Sequence, residues 1–179
     1  MLDNELIALL RTLIIQQFAA YGLPQINVKQ KYQPESQGTP VPATAFLFKI
    51  GDRRIGSPER KDEWDQLNQV MIHTEKEQYE TTFQAAALSI QNPADVVSLT
   101  ASDILNKISA ILQGDAALEL FKLNKIGILR ITDIRNVPFR DDRDRYEFEP
   151  TFDFTVTHEQ VTIIQAPVLE TQEFNIISV

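Results

Sequence analysis

Residues 146–157 read Tyr-Glu-Phe-Glu-Pro-Thr-Phe-Asp-Phe-Thr-Val-Thr, and this stretch decides the fold class. Apolar residues occupy every even-numbered position, and acids or threonines occupy every odd one. Because successive side chains of a strand point to opposite faces, the alternation predicts an antiparallel-paired strand with one buried and one polar face. Pro150 has no N–H to donate, so we expect it at a sheet edge or a bulge. Phe152 and Phe154 are predicted core residues.

The chain before this strand contains three predicted helices, of which the helix over residues 101–113 has the clearest signals. Residues 101–113 carry an apolar stripe at helical spacing. Thr100 is the predicted N-cap and Asp103 occupies the third helical position, a variant of the capping box, while Gly114 ends the helix. A shorter helix is predicted over residues 116–123.

The N-terminal region predicts a helix followed by a short strand. Residues 3–22 place leucines, an isoleucine and a phenylalanine on one wide stripe. Asp3 can cap its first turn, and Gly22 is placed to end it. Ile26 and Val28, separated by a polar residue, then predict a strand.

The middle of the chain is predicted to contain loops and short strands. Residues 33–43 are rich in Pro, Gly, Ser and Gln, which indicates a mobile loop. Gly51 and Asp52 lie between strand-like segments and predict a two-residue hairpin. Residues 57–63 read as a charged loop. Two further strands are predicted over residues 64–72 and 79–87, the second with three consecutive alanines that also fit a helix.

Length and charge exclude several classes of protein. The 179 residues predict one domain, residues 1–179, with an apolar docking tail over residues 166–179. A formal net charge of −8 without a basic stripe argues against a duplex-DNA binder. No stretch approaches 18 apolar residues, and the N-terminus lacks the positive charge of a signal peptide. We therefore expect neither a membrane span nor a secretion signal.

The sequence predicts no catalytic residue, no cofactor and no metal site, and hence no enzyme. Cysteine is absent, which excludes a thiol nucleophile and a thiolate metal site. The segment from Gly51 to Ser57 lacks the lysine and the following helix of a phosphate loop. His73 and His158 lie on separate predicted strands and are read as surface or strand-end residues, and there is no G-x-S-x-G motif.

Dense mixed charge marks two segments as candidate protein contacts. Alternating signs at an interface provide register and choice of partner. The alternative is a solvated, self-paired loop. The predicted interface residues are Arg53, Arg54, Arg140, Asp141, Asp142, Arg143, Asp144 and Arg145.

The order of elements in the second half resembles a known family. A helix ending at Gly114, a short helix and a strand over residues 127–134 lead into Ile-Arg-Asn-Val-Pro at residues 134–138, a charged turn and the alternating strand. This resembles the neck or tail-terminator proteins of tailed bacteriophages and related prophages. The resemblance covers most of the chain loosely and residues 100–157 best, and the N-terminal helix ending near Gly22 is similar too.

The resemblance implies a structural virion protein with an α+β fold, a mainly antiparallel sheet flanked by helices. Such subunits assemble into a homo-oligomeric ring, a hexamer, that caps the tail tube and joins it to the head connector. The implied partners are the subunit itself, the tail tube or sheath, and head-connector proteins, with DNA passing through the lumen unbound. The implied location is the neck of the virion, after assembly in the host cytoplasm.

Two other classes stay open at this point. One is another phage or secretion-system structural protein, such as a head-completion or tail-tube subunit; stacked rings would favour a tube subunit, whereas a terminator stops at one ring. The other is a small-molecule-binding or enzymatic α/β domain. A deep apolar pocket with converging polar groups would favour that reading.

Overall fold

A computed structural model describes residues 1–30, 43–90, 94–95, 97–140 and 146–167. Its elements, in chain order, are α1 (Asp3–Ala20), β1 (Asn27–Gln30), β2 (Thr44–Asp65), β3 (Val70–Leu88), α2 (Ala101–Gln113), α3 (Asp115–Leu123), β4 (Gly127–Ile131), β5 (Arg135–Arg140) and β6 (Tyr146–Pro167). The sheet order is β1-β2-β3-β6-β4, and β5 also pairs with β6. β1 runs parallel to β2, and the other described pairs are antiparallel. The predicted α+β class with a mainly antiparallel sheet is confirmed.

The core lies between the helices and one face of the sheet. Phe152 and Phe154 are buried in it, as the alternation in β6 predicts. Phe154 lies opposite Phe83 of β3, with ring centroids 5.5 Å apart. Thr151 belongs to the predicted polar face but is only 7% exposed, because it lies beside Ala86, which is buried as well.

The predicted helices form with nearly the expected ends. Thr100 and Asp103 make the reciprocal capping box: Asp103 N–H donates to Thr100 Oγ1 at 3.1 Å, and Thr100 N–H donates to Asp103 Oδ2 at 3.0 Å. Gly22 follows α1 with φ +64°, a conformation that suits glycine. The prediction that Asp3 caps the first turn of α1 is wrong, because Asp3 is the first helical residue. Leu2 is the N-cap, and its N–H donates to Glu5 Oε2 at 2.7 Å.

The predicted hairpin at Gly51 and Asp52 is wrong. β2 continues through it to Asp65 with bulges after Lys49 and Ile55, and the positive φ of 68° belongs to Gly56. The predicted loop over residues 57–63 is strand as well. Its charged side chains tolerate a strand because opposite charges on β3 lie beside them, which a local reading of the sequence does not reveal.

The true turn lies at residues 66–69, inside the strand predicted over residues 64–72. Asp65 fixes it, because its carboxylate accepts from Leu67 N–H at 2.9 Å and from the Asn68 amide at 2.7 Å. These hydrogen bonds form an Asx-type turn. Gln69 then takes a positive φ of 52° before β3 begins.

The remaining expectations divide between confirmation and correction. The three alanines at residues 85–87 lie in β3, so the strand reading is correct. The strand predicted over residues 127–134 ends at Ile131, because the chain there leaves β4 for β5. The predicted loop over residues 33–43 and the docking tail lie almost wholly outside the described residues.

Candidate interaction surface

Three strands of the sheet continue past the core as an extended arm. Within the described residues, β1 pairs with β2 as far as Leu47, and β4 pairs with β6 as far as Thr157. Beyond these points β2, β3 and β6 run on together; we call residues 51–80 and 158–167 the arm. From Gly51 to Asp65, at about 3.3 Å per residue, it reaches about 45 Å.

The arm has no core of its own among the described residues. No side chain from position 51 to position 80 is buried, and several large apolar ones are exposed. A three-stranded sheet is independently stable only when a hydrophobic face is covered. The arm is therefore a surface that suits coverage by another molecule. Its exposed apolar residues are Ile55, Trp64, Leu67, Val161, Ile163 and Ile164.

Cross-strand ion pairs hold β2 and β3 in register along the arm. Opposite charges that face each other across an antiparallel pair favour that register, although each exposed pair contributes little stability. The pairs are Arg53–Glu80 at 3.8 Å, Arg54–Glu77 at 3.1 Å, Arg60–Glu75 at 3.1 Å and Lys76–Glu59 at 3.9 Å. A hydrogen bond of 2.7 Å between His73 Nδ1 and Asp62 Oδ1 adds to them. The charged side chains of the arm therefore contribute to the pairing of β2 with β3.

The described members of the predicted interface lie at two positions along β6, Arg140 beside its start and Arg53 and Arg54 level with its middle. Arg53 and Arg54 are in the arm, where Arg53 is 82% exposed and its ion pair is long. Arg140 is the last residue of β5, and its backbone pairs with Tyr146 at the start of β6. Asp141, Asp142, Arg143, Asp144 and Arg145 lie outside the described residues. Eleven residues of β6, from Tyr146 to Thr157, separate Arg140 from the level of Arg53, about 36 Å, so the sheet does not bring these described arginines together.

A polar cluster lies at the base of the arm, with Thr81 and His158 buried and its charged members partly exposed. Thr81 Oγ1 is 2.9 Å from His158 Nε2 and donates to Asp52 Oδ1 at 2.7 Å. Lys49 Nζ contacts Asp52 at 2.5 Å and Asp3 at 2.6 Å. The cluster thus connects α1 to β2, β3 and β6 where the arm leaves the core.

The hydrogen bonds fix the role of His158. Since Thr81 donates its proton to Asp52, His158 Nε2 must donate to Thr81. Nδ1 is then a buried acceptor, and it has no partner among the described residues. In nucleophilic catalysis the hydroxyl would donate to the histidine, and the other ring nitrogen would donate to a carboxylate. Here the histidine donates to the hydroxyl, which is the reverse direction, and the hydrogen bonds suit a structural link between strands.

Sequence reasoning missed this cluster. The prediction that His158 is a surface or strand-end residue is wrong. His158 lies inside β6 and is only 6% exposed. His73 is exposed and pairs with Asp62. Thr81, Asp52 and His158 meet only through the register of three strands, because Asp52 lies opposite Thr81 and His158 lies two positions along β6 from the Thr81 partner, Val156. A histidine following the run of alternating threonines was the one local signal.

Burial and charge set the protonation of the cluster. Burial lowers the pKa of His158 below its ordinary 6.5, and the N-terminal ammonium lowers it further, against partial opposition from Asp52 and Asp3. Burial tends to raise the pKa of Asp52, but hydrogen bonds from Lys49 and Thr81 outweigh it, so this pKa lies below 3.8. Neutral His158 and ionised Asp52 are the folded-state forms at neutral pH.

We expect the protein to lose stability as the pH falls from 7.5 to 5.5. His158 has a lower pKa folded than unfolded, so below about 6.5 the unfolded chain binds more protons and unfolding becomes easier. Asp52 does not change the free energy of unfolding between these pH values, because the stabilisation it provides is lost only below about pH 3.8. Urea unfolding at both pH values measures the effect. In His158→Gln the loss should be smaller; an unchanged loss would contradict this assignment.

An open cleft borders the cluster. The cleft has a volume of about 580 Å³ and is lined by Met1, Lys49, Tyr79 and Gln160 among others. Across the described ranges, no group of three or more His, Cys, Asp or Glu side chains could hold a metal ion. None of the described helices is both long and apolar enough to cross a membrane.

Comparison with known proteins identifies one family. A family model described as E217 gateway protein gp29 matches residues 5–168, from the first turn of α1 to the residue after β6. A solved cryo-EM structure, the sheath/tube terminator of the PVC extracellular contractile injection system in its extended state, is similar at a TM-score of 0.41 and 10% identity. The match covers 97% of this chain but only 64% of that one. Among curated proteins no match is found.

Proposed function

Because the chain belongs to the E217 gateway protein gp29 family, a family of phage structural proteins, we propose that it is a neck or tail-terminator protein. In this role it caps the tail tube and joins it to the head connector, and it resides in the virion after assembly in the host cytoplasm. The observation that carries the proposal is the family match over residues 5–168, which includes the core and the arm.

The proposed assembly is a closed ring of identical subunits, a hexamer. A head-to-tail contact needs two different surfaces on one subunit, and it closes into a ring when its rotation is right. The arm, which has no core of its own among the described residues, supports one such surface, and Arg140 beside the start of β6 supports a different one. The subunit, the tail tube or sheath, and the head connector are the proposed partners.

The charge of the chain suits a conduit for DNA. Each subunit has a formal net charge of −8, so a hexamer carries 6 × −8 = −48. A basic wall would hold the phosphate backbone, whereas an acidic wall repels it within about 8 Å at physiological ionic strength. We propose an acidic lumen through which DNA passes without specific binding.

The proposed role is structural and not enzymatic. The cluster of buried Thr81 and His158 with exposed Asp52 has its hydrogen bonds directed for linking strands, and no nucleophile is activated by it. The cleft beside it is the place where a small-molecule function would be sought. Its polar lining is already paired in part, since Lys49 holds both Asp3 and Asp52.

Imaging of the assembled protein tests the proposed function. We expect purified protein, mixed with tail tubes that lack their end structure, to add one ring of six subunits at a single end of each tube. Negative-stain class averages and the mass of the complex by light scattering measure this. Stacked rings would indicate a tube subunit instead. No binding to tubes or to connector complexes would refute the proposal, as would a lumen lined by Lys and Arg.

Charge reversal in the predicted turn tests its role in assembly. Arg143→Glu with Arg145→Glu should lower the yield of rings on tubes at least ten-fold, because reversed charges repel the acids they are expected to meet. The melting temperature should stay within about 2 °C, since surface substitutions change stability little. Arg130→Glu, an exposed reversal on β4, is the matched control and should assemble normally. Normal assembly of the double variant would make the turn a solvated loop.

A further inference from the structure

The outer side of β6 lacks a strand partner along the arm. β5 pairs with β6 up to Thr151 and β4 up to Thr157, whereas β3 stays paired through Pro167 on the other side. Over residues 160–166, which we call the open edge, no described strand pairs with the outer backbone groups. Such an edge is a ready template for an added strand.

The two edges of the arm differ in how they are protected. The outer strand β2 has an acid or base at most positions of residues 59–65, with Pro58 and a bulge just before them. Charge, proline and bulges are the features that keep sheet edges from pairing. The open edge reads Gln-Val-Thr-Ile-Ile-Gln-Ala, without charge, proline or glycine. Only this edge is suited to accept a strand.

The sequence after β6 contains a segment of matching chemistry. Residues 174–179 read Phe-Asn-Ile-Ile-Ser-Val, also without charge, proline or glycine, and rich in strand-forming residues. Residues 168–173 connect them to Pro167, which lies at the tip of the arm because it pairs with Val70, the first residue of β3. A connection of six residues spans at most about 20 Å, which sets the reach of this segment from Pro167.

We propose that residues 174–179 of one subunit add as a strand to the open edge of a second copy of this chain. Pairing with the subunit's own edge would lengthen a sheet whose faces stay uncovered, with Trp64 at 45% and Ile164 at 57% exposed. A second copy brings a folded body to those faces. This inference rests on the proposed ring and names its contact: each subunit gives one strand and accepts one, a head-to-tail arrangement.

Binding of a synthetic peptide tests the site directly. The peptide comprises residues 168–179 with a fluorophore, and the acceptor is the full chain with Ile176→Asp and Ile177→Asp, which disables its own segment. We expect saturable binding by fluorescence anisotropy. Ile163→Lys at the open edge should weaken binding at least ten-fold, while Ile55→Lys on the protected strand leaves it unchanged. No binding, or equal loss in both variants, would overturn the proposal.

Backbone methylation separates strand pairing from side-chain docking. Two peptides carry N-methyl groups, one at residues 174, 176 and 178 and the other at residues 175, 177 and 179. A strand paired along one edge directs alternate N–H groups to its partner, so one peptide should bind like the parent and the other at least ten-fold more weakly. Equal binding of both would mean that the backbone does not pair.

Cross-linking separates a second copy from the subunit's own segment. The chain has no cysteine, so Thr162→Cys and Ser178→Cys can be placed in separate proteins and mixed with a short bismaleimide. We expect a cross-linked dimer well above that formed by Thr162→Cys with Lys122→Cys, an exposed control on α3. Peptide binding without this dimer would overturn the second-copy assignment. Rings on tail tubes would still support the proposed function if either test failed, so the two can fail separately.

Discussion

Phe152→Ala and Phe154→Ala should each lower the free energy of unfolding by about 3–5 kcal/mol, the largest effect expected of single changes in this chain. Both side chains are buried between β6 and the helices, with 0% and 1% exposure. Truncation removes apolar area from the core and leaves a cavity, and Phe154 also loses its stacking on Phe83. Urea unfolding followed by circular dichroism measures the change.

The same strand provides the matched control for this result. Ile163 lies further along β6, in the arm, and is 62% exposed. Ile163→Ala should change the free energy of unfolding by less than about 0.5 kcal/mol, since exposed positions contribute little. A near-neutral Phe152→Ala or Phe154→Ala, or an Ile163→Ala as damaging as either, would mean that the buried face of β6 is assigned incorrectly.

Thr81→Val should lower the free energy of unfolding by about 1–3 kcal/mol, the second large effect, because it leaves buried polar groups unpaired. The change keeps the shape of the side chain but removes the hydroxyl that donates to Asp52 and accepts from His158. His158 would then have no partner for either ring nitrogen among the described residues. Chemical denaturation at pH 7.5 measures the loss.

Restoring the hydroxyl tests the cause of that loss. Thr81→Ser keeps the donor and acceptor and removes one methyl group, so it should recover most of the stability. A second expectation follows for pH: the Thr81→Val protein should show a changed loss of stability between pH 7.5 and 5.5, because His158 sits in altered surroundings. If Thr81→Ser is as unstable as Thr81→Val, methyl packing and not the hydrogen bonds explains the effect.

The sequence predicts the core of this fold well because its signals are local. Alternation alone identifies the buried face of β6, and Thr100 with Asp103 marks the start of α2, since each pattern depends on neighbours within a few residues. The arm escaped prediction for the opposite reason. Residues 57–63 read as a loop because their charges are balanced by β3 side chains such as Glu75 and Lys76, more than ten positions away.

In the candidate interaction surface, too, local signals can be read from the sequence and contacts between distant residues cannot. The sequence indicates a charged contact segment at Arg53 and Arg54. It does not reveal their ion-pair partners in β3, Glu80 and Glu77. The cluster of His158, Thr81 and Asp52 depends on the register of three strands, which no short segment encodes. Position within a sheet is a property of the whole chain.

The unbroken course of β6 has a mechanical consequence. This one strand runs from its pairing with β5, past the core, to the tip of the arm, and β3 accompanies it from Ala86 to Val70. Tension applied between the Ala86 end of β3 and the Pro167 end of β6 loads the hydrogen bonds of that ladder in shear, so they share the force and must rupture together. Tension that peels β2 from β3 at the turn breaks the hydrogen bonds between them one at a time. The arm should therefore resist force along the strand direction better than force across it.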